Sequence, residues 1–117
     1  MILYYDRAGE PLESVFEWER LLGDREYVIV QKDTLKVGDI EVHVSTIWLG
    51  LNHNWLGGRP LIFETMVWWD GEIVEMHRYS TEEEARLGHA GVLEMQMIKA
   101  DETKGGDSSR AGPIPER

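Results

Sequence analysis

The stretch from His43 to His89 holds all four histidines of this 117-residue chain and four of its five tryptophans. Within it His53, Glu64 and His77 have the widest chemical range. An imidazole can move a proton near neutral pH, and a carboxylate can orient it, accept its proton or share a metal with it. Together with His43 and His89 they make a pool of nitrogen and oxygen ligands, of which three converging would hold zinc with one position open. The spacing does not select that chemistry. No pair of histidines has the HxxxH or HExxH interval that puts two ligands on one helical face, and a triad drawn from Ser45, His53 and Glu64 lacks a nucleophile elbow. No resident metal or cofactor is expected, and His89, set among Ala85 and Val92, reads as a hydrogen-bonded core histidine.

Binding has its own candidates. In "LGLNHNWLGGRP", Asn52 and His53 lead into Gly57-Gly58, where backbone amides can turn toward an anion and Arg59 adds a positive charge. The spacing matches neither GxxxxGK[ST] nor GxGxxG, and an asparagine- and glycine-rich connection between strands is most often a turn. Trp55 in that connection can stack on a base or pack over a sheet edge. Trp68 and Trp69 are consecutive on a strand and must point to opposite faces, so one of them meets a partner, a ligand or a covering helix.

These side chains need elements to place them. "MILYYDRAGEP" suggests a short first strand, and "PLESVFEWERLLG" an amphipathic helix with Pro11 at its start and Gly23 past its end. "REYVIVQKD" reads as a strand. "LKVGDIEVHVSTIWLGL" adds a Gly38-Asp39 turn and a longer strand with Val42, Val44, Thr46 and Trp48 on one face and His43, Ser45, Ile47 and Leu49 on the other. Asp70-Gly71, between "LIFETMVWW" and "EIVEMHRY", is the preferred chemistry of a two-residue hairpin turn.

Counting back from that turn pairs Trp69 with Glu72, Val67 with Val74, Thr65 with Met76 and Glu64 with His77. The count places Ile62, Glu64, Met66, Trp68, Ile73, Glu75, His77 and Tyr79 on one partly exposed face, with Phe63, Thr65, Val67, Val74 and Met76 as the core face. A Glu64–His77 pair could transfer protons, ligate a metal or simply fix the sheet, and the last is the commonest role. Ser80 and Glu83 have capping-box spacing, so a helix should begin at Ser80 and bury Ala85, His89, Val92 and Gln96. "ADETKGGDSSRAGPIPER" has little to bury.

The fold expected is therefore α+β, a mainly antiparallel sheet in chain order with two helices packed on one face. Residues 1–99 form a single small domain and residues 100–117 a disordered polar tail. The formal charge of −10 disfavours direct binding to nucleic acid, and the absence of cysteine excludes disulfides and thiolate sites. No basic leader precedes an apolar run and no segment reaches the roughly 18–20 apolar residues of a membrane span, so no membrane role is expected and a cytoplasmic location is. An uncovered sheet face could pair with a second copy, making a homodimer possible in principle.

The blocks "VSTIWLGLNHN", "GGRPLIFETMVW" and "YSTEEEARLGH" resemble a family of short uncharacterised proteins of tailed bacteriophages and prophages, especially those of actinobacteria. The likeness spans Tyr4 to Leu93, with "PLIFETMV" and "YSTEEEA" its most specific pieces. It implies a phage origin and an α+β fold. In that family the position of Asn52 is commonly aspartate, and asparagine here supplies neither a carboxylate base nor a strong cation ligand. The expectation is a phage-encoded accessory protein in the host cytoplasm that acts by binding, on a host protein or by sequestering a small nucleotide defence signal. Asn52, His53, Trp55, Arg59, Trp68 and Tyr79 are its candidate contacts, with Trp68, Tyr79 and Met66 composed like an interaction patch. The alternatives are a small hydrolase-like or metal-dependent enzyme using His53, Glu64 and His77, and a minor virion component.

Overall fold

The computed structural model describes residues 3–107, with side chains through 103. Four antiparallel strands lie in chain order, β1 (Ile29–Val37), β2 (Ile40–Trp48), β3 (Phe63–Trp69) and β4 (Glu72–Tyr79). Helix α1 (Val15–Leu22) and the single turn α2 (Arg25–Val28) precede the sheet, and α3 (Glu82–Asp107) follows it and packs across all four strands. This is the single small α+β domain expected. No helix among the described residues is long and apolar enough to cross a membrane.

Alternation along β2 and β3 builds the core. Val42, Val44, Thr46 and Trp48 pair with Trp69, Val67, Thr65 and Phe63 on the face that α3 covers. Helix α3 presents Ala85, His89, Gln96 and Ala100 to that face, at helical spacing, with Val92 and Leu93 partly buried between them. One cluster centres on Val42, Val44 and Val67, and a second on Trp48, Ile62 and Phe63. Helix α1 adds Trp18 and Leu21 to the second cluster, whereas Phe16 is 76% exposed, so the helix turns a narrower face inward than its sequence suggests. Trp18 sits against Gly50, where φ is +75° and a Cβ would collide with both Trp18 and Trp48.

Both hairpins form where their turns are written. Gly38 has φ +65°, and Asp70 and Gly71 have φ +53° and +82°, the paired positive values of a tight turn. The register beyond the second turn differs from the count. Trp69 faces Glu72 and Trp68 faces Ile73, but Val67 then faces Glu75, so Val74 is an extra residue that bulges from β4. From there every β4 side chain changes face: Thr65 faces His77 and Glu64 faces Arg78. Glu75, His77 and Tyr79 consequently lie on the α3 side, and Met76 and Arg78 on the other. The exchange of apolar Val74 and Met76 for Glu75 is tolerated because α3 offers polar partners there. Gln96 and Lys99 both donate to Glu75 Oε2, at 3.0 and 2.9 Å.

Two boundaries also move. The cap of α3 is Thr81, whose Oγ1 accepts from Glu84 N at 3.1 Å while Glu84 Oε1 accepts from Thr81 N at 3.2 Å; the box is one residue later than Ser80 and Glu83. At its other end α3 continues to Asp107 and buries Ala100, so helix occupies the first part of the tail expected from residue 100. The remainder of that expectation, residues 108–117, lies outside the described residues. The expected first strand is reduced to two bridges, Tyr4 with Leu51 and Tyr5 with Pro11.

Candidate functional site

The bulge separates the three residues considered for catalysis. Glu64 is 6% exposed on the face opposite α3, and Arg78 Nε donates to its Oε2 at 3.0 Å. His53, in the connection after β2, lies near enough to both charges to respond to them. Burial lowers its pKa below the ordinary value, Arg78 lowers it further, and Glu64 opposes the shift. His77 is on the other side of β4, where Nε2 hydrogen-bonds Glu75 Oε1 at 3.0 Å. The same carboxylate receives Lys99, His77 and Gln96, and these bonds hold its pKa down to about 2. Glu64 and His53 thus share a neighbourhood with Arg78, and His77 belongs to a different cluster. Among the described residues no group of three or more His, Asp or Glu side chains is placed to hold a metal ion.

The glycine-rich connection is organised by its own asparagines. Asn52 Oδ1 accepts from the backbone N–H of Asn54 at 2.8 Å and of Leu61 at 3.1 Å, bridging both limbs of the loop. An aspartate would accept the same two bonds, so this position shapes the loop whichever of the two residues it holds. Asn54 Nδ2 donates to Arg59 O at 2.8 Å. Arg59 is held by Glu84, 2.9 Å away, and its charge is not free for a phosphate. Trp55 projects from the loop with 76% exposure, its ring centroid 6.1 Å from that of His53. Tyr79, expected among the contacts, instead packs into the core on the α3 side, and its hydroxyl is buried with no hydrogen-bond partner.

His89 sits in a polar chain that runs through the core. Its Nε2 lies 2.7 Å from Asp33 Oδ2 and its Nδ1 2.6 Å from Thr46 Oγ1, and Thr46 is in turn hydrogen-bonded to Thr65. A carboxylate accepts, so Nε2–H donates to Asp33, and Nδ1 is hydrogen-bonded to the Thr46 hydroxyl. An acid, an imidazole and a hydroxyl in series have the composition of a nucleophilic triad. Thr46 is 0% exposed, however, and no substrate can reach its oxygen. The chain satisfies polar groups inside the core, which is the role expected of His89, through partners that sequence spacing did not name.

The face opposite α3 carries a different arrangement. Across β1, β2 and β3 it presents two adjacent rows: Lys32 opposite Ser45 opposite Met66, and Thr34 opposite His43 opposite Trp68. Lys32, Thr34, His43, Ser45, Trp68 and Gly71 line a hollow of about 300 Å³. Thr34 Oγ1 and His43 Nδ1 are 3.0 Å apart, His43 Nε2 lies 3.1 Å from Glu41 Oε1, and Lys36 lies 3.3 Å from Glu41 Oε2. Four side chains thus brace the turn end of the hollow. Of these lining residues only Trp68 was among the candidate contacts. Counting back from the Gly38-Asp39 turn, with Val37 opposite Ile40, would have placed Thr34 beside His43 and Lys32 beside Ser45, because no bulge interrupts that part of the hairpin.

Comparison of the chain with protein-family models, with curated proteins and with solved structures gives no significant match.

Proposed function

We propose that this chain is a phage-encoded accessory protein that works in the host cytoplasm by binding, with the sheet face opposite α3 as its contact surface. The observation that carries the reading is the pairing of the polar groups. Glu64 is taken by Arg78, Glu75 by Lys99, His77 and Gln96, and His89 by Asp33 and Thr46. Beside these closed pairs, Trp68 and Met66 lie half-buried on an uncovered face, with Met76 46% and Ile73 53% exposed. Aromatic and methionine side chains next to polar ones are the composition of a recognition patch. A host protein and a small nucleotide signal are the occupants that the resemblance to phage proteins suggests.

The test pairs two kinds of variant. Protein is incubated with host extract; native mass spectrometry reads any retained mass, and the composition of the small-molecule fraction reads any turnover. Binding by this face requires retention that is lost in Trp68→Ala and Met76→Glu and kept in His53→Ala and His77→Ala. Turnover of an extract component that disappears with His53→Ala would replace this reading with the enzyme.

A further inference from the structure

We infer that the hollow lined by Lys32, Ser45 and Trp68 is a binding site for a small planar molecule carrying one anionic group, a phosphate or a carboxylate. The inference rests on the binding reading above and gives that face its ligand class.

A chain with 22 acidic and 12 basic side chains repels anions over most of its surface, so a site for one needs a local cation that no carboxylate has already neutralised. Arg7 and Arg86 are held by Glu82, Lys36 by Glu41, Arg59 by Glu84, Arg78 by Glu64 and Lys99 by Glu75. Among the described residues Arg20, Arg25 and Lys32 have no such partner, and of these three Lys32 lines the hollow. Of the acids nearby, Asp33, which also borders the hollow, and Glu41 are engaged with other side chains. Asp33 points to the opposite face and meets His89 at 2.7 Å, and Glu41 is shared between Lys36 and His43. A free ammonium with three donors therefore borders the hollow.

The rest of the lining sorts the ligand. The Ser45 hydroxyl, directly opposite Lys32, has no hydrogen-bond partner among the described residues and can donate to the same anion. Trp68 and the neighbouring Met66 supply an apolar side against which an aromatic ring can lie. A volume of about 300 Å³ is at the small end of ligand sites, room for one ring system and one anionic group rather than for a polymer segment. The bonded series from Lys36 through Glu41 and His43 to Thr34 fixes the wall of the hollow before anything binds, which lowers the ordering cost of binding.

Isothermal titration of the full chain tests this with adenosine monophosphate, 2-naphthoate, adenosine and inorganic phosphate as probes. The expected result is saturable one-to-one binding of adenosine monophosphate, of 2-naphthoate or of both; which of them binds identifies phosphate or carboxylate as the preferred anion. Adenosine and inorganic phosphate, each lacking one half of the recognised chemistry, should bind at least tenfold more weakly. Lys32→Ala, at an exposed position that does not threaten folding, should weaken the anionic ligand at least tenfold, and Trp68→Ala should weaken it with an unchanged circular dichroism spectrum. Lack of binding by both anionic probes, or equal binding to Lys32→Ala, overturns the inference. If the probes fail while extract retention still depends on Trp68, the ligand class falls and the contact face stands; if retention also fails, both fall.

Discussion

Tyr79 and Gly88 show how tightly single residues are fixed where α3 meets the sheet. The Tyr79 ring fills the space that a Gly88 side chain would need, and its hydroxyl is enclosed without a partner. Burial of an unpaired hydroxyl costs free energy that a phenyl ring does not incur. Tyr79→Phe should therefore leave stability unchanged or raise it by about 1 kcal/mol, whereas Gly88→Ala should lower it by about 1–3 kcal/mol through overpacking. Urea denaturation of the two variants measures both, and a marked loss in Tyr79→Phe would mean that the hydroxyl has a partner after all. Glu75 belongs to the same scale. Its pKa of about 2 in the fold, against an ordinary 4.5, means that it stabilises the folded state above pH 4.5 and loses that contribution as pH falls from 4.5 toward 2. Glu75→Gln should flatten the acid limb of the stability profile over that window, and an unchanged limb would show that Lys99 and His77 contribute nothing through Glu75.

At the level of elements, the parts of the fold that local chemistry dictates were legible and the parts that packing dictates were not. Gly38-Asp39 and Asp70-Gly71 fix their turns because those residues accept positive φ, and the alternation of Val42, Val44, Thr46 and Trp48 marks the buried face of β2. The extra residue at Val74 has no local signature, since the alternative without it would bury Val74 and Met76. It follows from what α3 presents to β4, namely Gln96 and Lys99, and these favour Glu75 underneath. One residue of register then removed the expected pairing of Glu64 with His77 and, with it, most of the catalytic candidate site. The α3 cap was ambiguous for another reason: "STEEE" contains two overlapping boxes, Ser80 with Glu83 and Thr81 with Glu84. The structure selects the second, so Thr81→Ala should cost about 1 kcal/mol and Ser80→Ala less than about 0.5 kcal/mol. Thermal unfolding distinguishes them, and a larger loss at Ser80 would return the cap to the earlier residue.

On the scale of the whole molecule, four surfaces among the described residues expose apolar side chains and compete for the role of contact, one of them the outer side of α1 with Phe16 at 76% and Leu22 at 42% exposure. The outer side of α3 carries Leu87, Met95 and Ile98, at 69%, 51% and 45% exposure, and the loop tip carries Trp55 and Leu56, at 76% and 99%. None of these three brings an unpaired cation, a free hydroxyl and an aromatic side chain to one hollow, as the open sheet face does at Lys32, Ser45 and Trp68. That difference favours binding on the sheet. Its most direct test is a map of backbone amide and indole NMR shifts of the labelled protein on addition of host extract. Binding on the sheet face concentrates the shifts at Lys32, His43, Ser45, Met66 and Trp68 and leaves Leu87, Met95 and Ile98 unmoved. Shifts confined to the outer side of α3, or to Trp55 and Leu56, would contradict it.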